Sequence, residues 1–182
     1  MPTPSPRGPE LQRDLPVVQP AARVGRLLDS LSVRDKVAQL VMPWLLGGYE
    51  PLDGAEMRQA LTWVDSLKVG GIIISIGSPT EIAAKLNALQ RAAPLPLLIA
   101  SDLEGGTTFR FSAGGTQFPT QMGIGAGGVE QDAYQMGRIT ALEGLAVGIH
   151  MAFAPVADVN NNPANPIINT RSFGGDPKMV AR

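Results

Sequence analysis

Apolar residues along this chain alternate between two spacings, and that alternation predicts its elements. From Ala21, the positions Val24, Leu27, Leu28 and Leu31 recur at helical intervals, and Ser32 followed by Asp35 predicts the cap of a second helix carrying Val37 and Leu40. The run from Leu40 to Leu46 is predicted as a first strand. Met57, Leu61, Val64 and Leu67 then predict a helix over residues 53–67, after which GGIIISIG is a short, wholly apolar, β-branched run ending at glycine. Pro79 stands where it can open the next helix, whose apolar positions are Ile82, Leu86 and Leu89, and PLLIAS at 96–101 is a further buried strand. A glycine-rich stretch runs from Asp102 to Gly128, with GIGAGG at 123–128 expected to be loop. A helix over roughly 129–147, a strand in GIHMAFAP and the polar loop VADVNNNPANPIINTRSFGG follow. Asp176 and Pro177 predict the start of one more helix.

Strands without a polar face, separated by helices, imply parallel βαβ units with right-handed crossovers, so the class is α/β. An open doubly wound sheet and a parallel (β/α)₈ barrel of TIM type both fit. The two longest loops leave the C-terminal ends of predicted strands, the face on which barrels build active sites, and this favours the barrel. About four strands are visible against eight in a barrel, so only the first half is expected. Such a half would leave an open parallel edge and uncovered apolar surface.

Composition narrows the candidates. The chain has 182 residues, 44% of them hydrophobic, enough for one domain with a real core. Its 15 basic and 16 acidic residues leave a formal charge of −1, which gives nucleic acid and anionic membranes no electrostatic footprint. The absence of cysteine excludes disulfides, thiolate metal sites and cysteine nucleophiles. Residues 1–20 contain Pro2, Pro4, Pro6 and Pro9 and are expected to be a flexible lead-in to a domain over 21–182. Those prolines interrupt any secretory signal, so the chain as written is expected in the cytoplasm, or in the periplasm or outside the cell if the true start lies upstream. No apolar run approaches the roughly 20 residues that span a bilayer.

At 97–106 the sequence reads LLIASDLEGG: an apolar strand, an Asp, one variable residue, then Glu-Gly-Gly. This resembles family 3 glycoside hydrolases, in the form carried by the bacterial β-N-acetylglucosaminidase (β-N-acetylhexosaminidase) branch. KVAQL at 36–40, Phe118-Pro119 with Met122 and Gly125, and FAPVADVNNNPANPIINTRSFGGDP are similar to further family segments in the same order. The resemblance runs from about Ala21 to Arg182.

The resemblance implies roles that each stand beside a plainer use of the same residue. Asp102 matches the family's substrate-binding Asp, although an Asp at a strand end often only caps a loop. Arg171, in NTRSFG, matches an arginine that binds the sugar, and a forked guanidinium suits several fixed oxygen acceptors. Arg110 matches a second sugar-contacting arginine, whereas Thr107 stands where the family has its first arginine after the paired glycines. Glu104 faces the same side as Asp102 in an extended segment, but catalytic carboxyls ordinarily come from different elements, so a supporting, loop-holding role is expected. Asp158 is also expected to support the loop rather than the sugar, with Asn160, Asn161 and Asn162 steadying the same turn. His150, the only histidine, falls within a predicted buried strand and is expected to be structural.

In the family, hydrolysis with retention uses an aspartate nucleophile and a histidine acid/base on a mobile loop, both after a Lys-His-Phe-Pro-Gly-His-type segment. This chain ends before such a segment, so none of its residues is expected to be catalytic. It is expected to be inactive alone, with a carbohydrate containing N-acetylglucosamine, such as a glycan or muropeptide, and the missing C-terminal half of the barrel as partners. No metal or organic cofactor is implied. The alternatives are a β-glucosidase or xylosidase of the same family, or a non-catalytic sugar-binding or scaffold module. An open-sheet nucleotide binder would need a glycine fingerprint after its first strand, and none is evident.

Overall fold

A computed structural model describes residues 20–182; the expectation for the proline-rich lead-in lies outside the described residues. Four parallel strands form one sheet in chain order: β1 (Trp44–Leu46), β2 (Gly71–Ser75), β3 (Leu98–Ser101) and β4 (Met151–Ala152). The described residues also form seven α-helices: α1 (Pro20–Ser30), α2 (Val33–Ala38), α3 (Ala55–Leu61), α4 (Pro79–Ala92), α5 (Gln121–Gly127), α6 (Glu130–Ala146) and α7 (Pro177–Val180). The α3 helix runs on into a wider π turn over Thr62–Ser66, so the predicted helix over 53–67 is present but changes pitch.

Local chemistry starts the helices where the sequence predicts. The Ser32 side chain accepts from the Asp35 amide at the head of α2. Ser78 and Glu81 form a reciprocal capping box in front of Pro79, satisfying donors the first turn of α4 would otherwise leave open. Asp176 caps α7 by accepting from the Lys178 amide. Two expectations need correction. GIGAGG is not simply loop, because Thr120 caps a helix that begins at Gln121 and buries Gln121 and Ile124. The strands predicted from Leu40 and within GIHMAFAP are also shorter than their apolar runs, three and two residues respectively.

Strand register decides the architecture. In a parallel sheet, paired residues share a face. Trp44, Ile73, Ala100 and Met151 therefore form one row on one face, and Leu46 and Ser75 lie in the next row of that face. Leu45, Ile72, Ile74 and Ile99 lie on the opposite face, fully buried against Met57 and Val64 of the first helical hairpin and Ile82, Leu86 and Leu89 of α4. The first face carries no helices: Trp44 is 55% exposed and Leu98 43%. A doubly wound sheet would cover both faces. Helices on one face only, with strands in sequential order, make the first half of a (β/α)₈ barrel whose interior is the bare face.

The open β4 edge adds a second uncovered region. A groove of about 1010 Å³ runs beside it on the helical side, lined in part by Ile124, Val129, Met136, Phe173 and Met179. Among the described residues, no helix is long and apolar enough to cross a membrane.

Candidate substrate-binding site

Asp102 follows β3 directly, and Phe153 follows β4, with the Phe153 amide bonded to the Ser101 carbonyl at 2.8 Å. Both therefore belong to the C-terminal rim of the half-barrel. Trp44, Ile73, Ser75, Asp102, Glu104, Arg110 and Phe153 line a cavity of about 410 Å³ there. It is smaller than the groove beside α6, but it is the one that holds Asp102 and Arg110 at the C-terminal ends of the strands.

Two ion pairs organise it. The Arg110 guanidinium donates to the Asp102 carboxylate and lies over the Phe109 ring, 4.3 Å from its centroid. Arg171 grips Glu104 with two bonds, from Nε to Oε2 at 2.7 Å and from Nη2 to Oε1 at 2.6 Å, although the residues are 67 positions apart. Such a fork fixes direction as well as distance. Arg171 also donates from Nη1 to the Ile167 carbonyl at 3.0 Å. Three of its five N–H groups are thus engaged, leaving two for another acceptor. The hydrogen bonds and charge of Glu104 raise the Arg171 pKa, outweighing desolvation, and Asp102 and Asp158 add smaller effects of the same sign. Arg171 thus sits within the field of both aspartates.

The backbone explains the motif around Asp102. Gly106 has φ of +87°, and a Cβ there would stand 2.7 Å from the Phe118 ring, so only glycine fits this turn. Gln121 at the head of α5 donates to the Glu104 carbonyl, tying the turn to the next helix.

The loop after β4 is held mainly by its own backbone and by Arg171. The Ser172 hydroxyl, fully buried with its residue, donates to the Asp158 carbonyl at 2.6 Å, and the Asn160 amide donates to the Gly174 carbonyl at 2.9 Å. Asn162 and Asn165 accept backbone N–H groups two residues ahead, forming Asx turns. Asn160 leaves its buried Oδ1 without a partner among the described residues.

The structure thus brings Asp102, Glu104, Arg110 and Arg171 to one rim and places exposed Asp158 beside them. His150 lies elsewhere. It precedes β4 at the opposite end of the sheet, where its Nδ1 accepts the Ile99 amide at 3.1 Å. That bond satisfies one nitrogen, but the residue is exposed rather than buried, because β4 begins after it. Among the described residues, no group of three His, Asp or Glu side chains could hold a metal ion.

Sequence reasoning missed Trp44, Ser75 and Phe153 in the lining of the cavity. The alternation of side chains along each strand was the available signal, since positions two apart from Asp102 and in its row face the same interior. It also gave Glu143 no role, because its partners Thr116 and Thr107 lie 27 and 36 residues earlier in the chain.

Residues 32–182 match the model of the glycosyl hydrolase family 3 N-terminal domain. The chain belongs to glycosyl hydrolase family 3. A β-N-acetylglucosaminidase/β-glucosidase of Cellulomonas fimi is 36% identical over 115 residues, covering 63% of this chain and 20% of that protein. The β-hexosaminidase LpqI of Mycobacterium tuberculosis is 33% identical over 172 residues, covering 91% of this chain and 41% of that protein. The solved structure of a family 3 β-N-acetylglucosaminidase from a Paenibacillus species superposes with a TM-score of 0.73 at 38% identity, covering 84% of this chain and 29% of that one. This family 3 chain therefore spans less than half the length of these relatives.

Proposed function

We propose that the rim binds the terminal β-linked N-acetylglucosamine of a glycan or cell-wall fragment, and that the full-length protein releases this sugar by hydrolysis with retention. The juxtaposition of Asp102, Arg110 and Arg171 carries this reading. Asp102 accepts from sugar hydroxyls, while Arg110 and the two unengaged N–H groups of Arg171 donate to hydroxyl or acetamido oxygens. Glu104 holds Arg171 in place, and Asp158 adds negative charge beside it. The cavity of about 410 Å³ falls at the lower end of ordinary small-ligand pockets.

Hydrolysis needs a nucleophile and an acid/base in addition to this grip. In this reading both are supplied by the remaining half of the barrel, and the 182-residue chain binds without turnover. The purified chain is expected to leave a chromogenic N-acetylglucosaminide intact; turnover that Asp102→Ala abolishes would refute this. N-acetylglucosamine titrated into the labelled chain is expected to shift the Arg110 and Arg171 side-chain resonances. Asp102→Asn is expected to weaken that binding by about tenfold or more, through loss of charge-assisted hydrogen bonds. The Cellulomonas relative is named for β-glucosidase as well, which favours glucose as a second reading. A tighter response to glucose than to N-acetylglucosamine would select it.

A further inference from the structure

Glu143 is the charged group with the most specific unexplained contacts. It projects from α6, yet each of its hydrogen-bond partners belongs to the loop that follows β3. The Thr107 hydroxyl donates to Oε2. The Thr116 amide reaches Oε1 at 3.0 Å and Oε2 at 3.2 Å, and the Thr116 hydroxyl donates to Oε1 at 2.6 Å. One carboxylate thus clasps both ends of a ten-residue segment with Arg110 inside it.

The interior of that segment is fixed elsewhere. The Arg110 carbonyl accepts the Gly77 amide at 3.3 Å, and the Ser112 amide donates to the Gly77 carbonyl at 3.0 Å, binding the segment to the end of β2. Phe111 is buried in the core, and its amide donates to the Thr107 carbonyl at 2.8 Å. The backbone is thus pinned on either side of Arg110, whose guanidinium lies against the Asp102 carboxylate.

We propose that Glu143 is a positioning residue for Arg110, anchoring Thr107 and Thr116 to α6 so that the loop presents the guanidinium to Asp102. Its importance for a sugar rests on the binding reading given above. The charge is matched to the task, because an ionised carboxylate offers about four acceptor sites where an amide oxygen offers two. Burial opposes ionisation of Glu143, but bonds from Thr107 and from the Thr116 side chain and amide outweigh it and hold its pKa below the ordinary 4.5. Thr107 is fully buried, and Glu143 is the partner its hydroxyl has there.

The test uses the nitrogen-labelled 182-residue chain. In Glu143→Ala, the Thr116 amide is expected to exchange with solvent faster by about tenfold or more, the effect of losing hydrogen bonds to a charged group. The Arg110 Nη–H resonances are expected to broaden or vanish, while β2 amides change by less than about threefold, within the scatter of independent sites. Glu143→Gln is expected to restore part of the Arg110 signal. Unchanged Arg110 resonances in Glu143→Ala overturn the proposal, whether or not Thr116 is released. If Glu143→Ala does not fold, Thr116→Val replaces it: partial broadening at Arg110 with intact β2 protection supports the proposal, and unchanged Arg110 resonances overturn it. N-acetylglucosamine added to the unaltered chain decides the sugar reading separately. A silent titration removes the sugar but leaves the effect of Glu143 on Arg110 as measured.

Discussion

The two faces of the sheet have similar apolar character and opposite fates. Ile72, Ile74 and Ile99 on the outer face are fully buried beneath α3 and α4, whereas Trp44, Leu98 and Phe153 on the inner side remain substantially exposed. Hydrophobicity alone therefore does not distinguish a core from an interior awaiting closure. The difference lies in topology: with parallel strands in sequential order, the crossover helices α3 and α4 pack on the same side. The buried core lies on the outer face, and the Asp102–Arg110 and Glu104–Arg171 ion pairs gather at the rim of the inner one.

Substitution can break that contrast most forcefully in the rows themselves. Ile74→Ala is expected to cost about 2–5 kcal/mol in urea unfolding, as for other buried isoleucines, while Leu98→Ser on the bare face is expected to stay within about 0.5 kcal/mol. Comparable losses at the two positions would mean that the inner face is covered in solution. The rim is expected to respond next. Glu104→Gln removes the charge opposite Arg171, and amide exchange at Asn160 and Ser172 is expected to accelerate by about tenfold, with the β2 strand unaffected.

A smaller effect sharpens the role of the outer layer. Ser78→Ala removes the cap of α4 and is expected to cost about 1 kcal/mol in thermal or urea unfolding. The gentlest probe is pH. Because the folded pKa of Glu143 lies below its ordinary value, the unfolded chain binds a proton more readily, so this contribution is complete above about pH 4.5. It is lost as pH falls through the lowered folded value. Melting temperature followed below pH 4.5 is expected to decline less steeply in Glu143→Gln than in the unaltered chain.

Much of this was legible in the amino-acid order. Ser32 and Asp176 cap helices and Pro79 opens one, and the apolar runs at 71–75 and 98–101 are strands, because side-chain capping and short-range periodicity are local effects. The helix in GIGAGG was not legible. A Cβ at Gly125 would stand 1.9 Å from the Phe173 carbonyl, so its glycine serves a close approach by backbone 48 residues later, which no local rule registers. The register that aligns Trp44 with Ile73, Ala100 and Met151 was equally hidden, as was the clasp made by Glu143. The LEGG segment and NTRSFG could be placed on one rim through family likeness, but the fork joining Glu104 to Arg171 became visible only in three dimensions.

That fork has a consequence for anyone recombining such barrels. The segments after the third and fourth strands share one guanidinium–carboxylate lock, so they constitute a single transplantable cassette rather than two. Moving NTRSFG into another scaffold without an acid at the position of Glu104 would deliver an arginine with nothing to aim it.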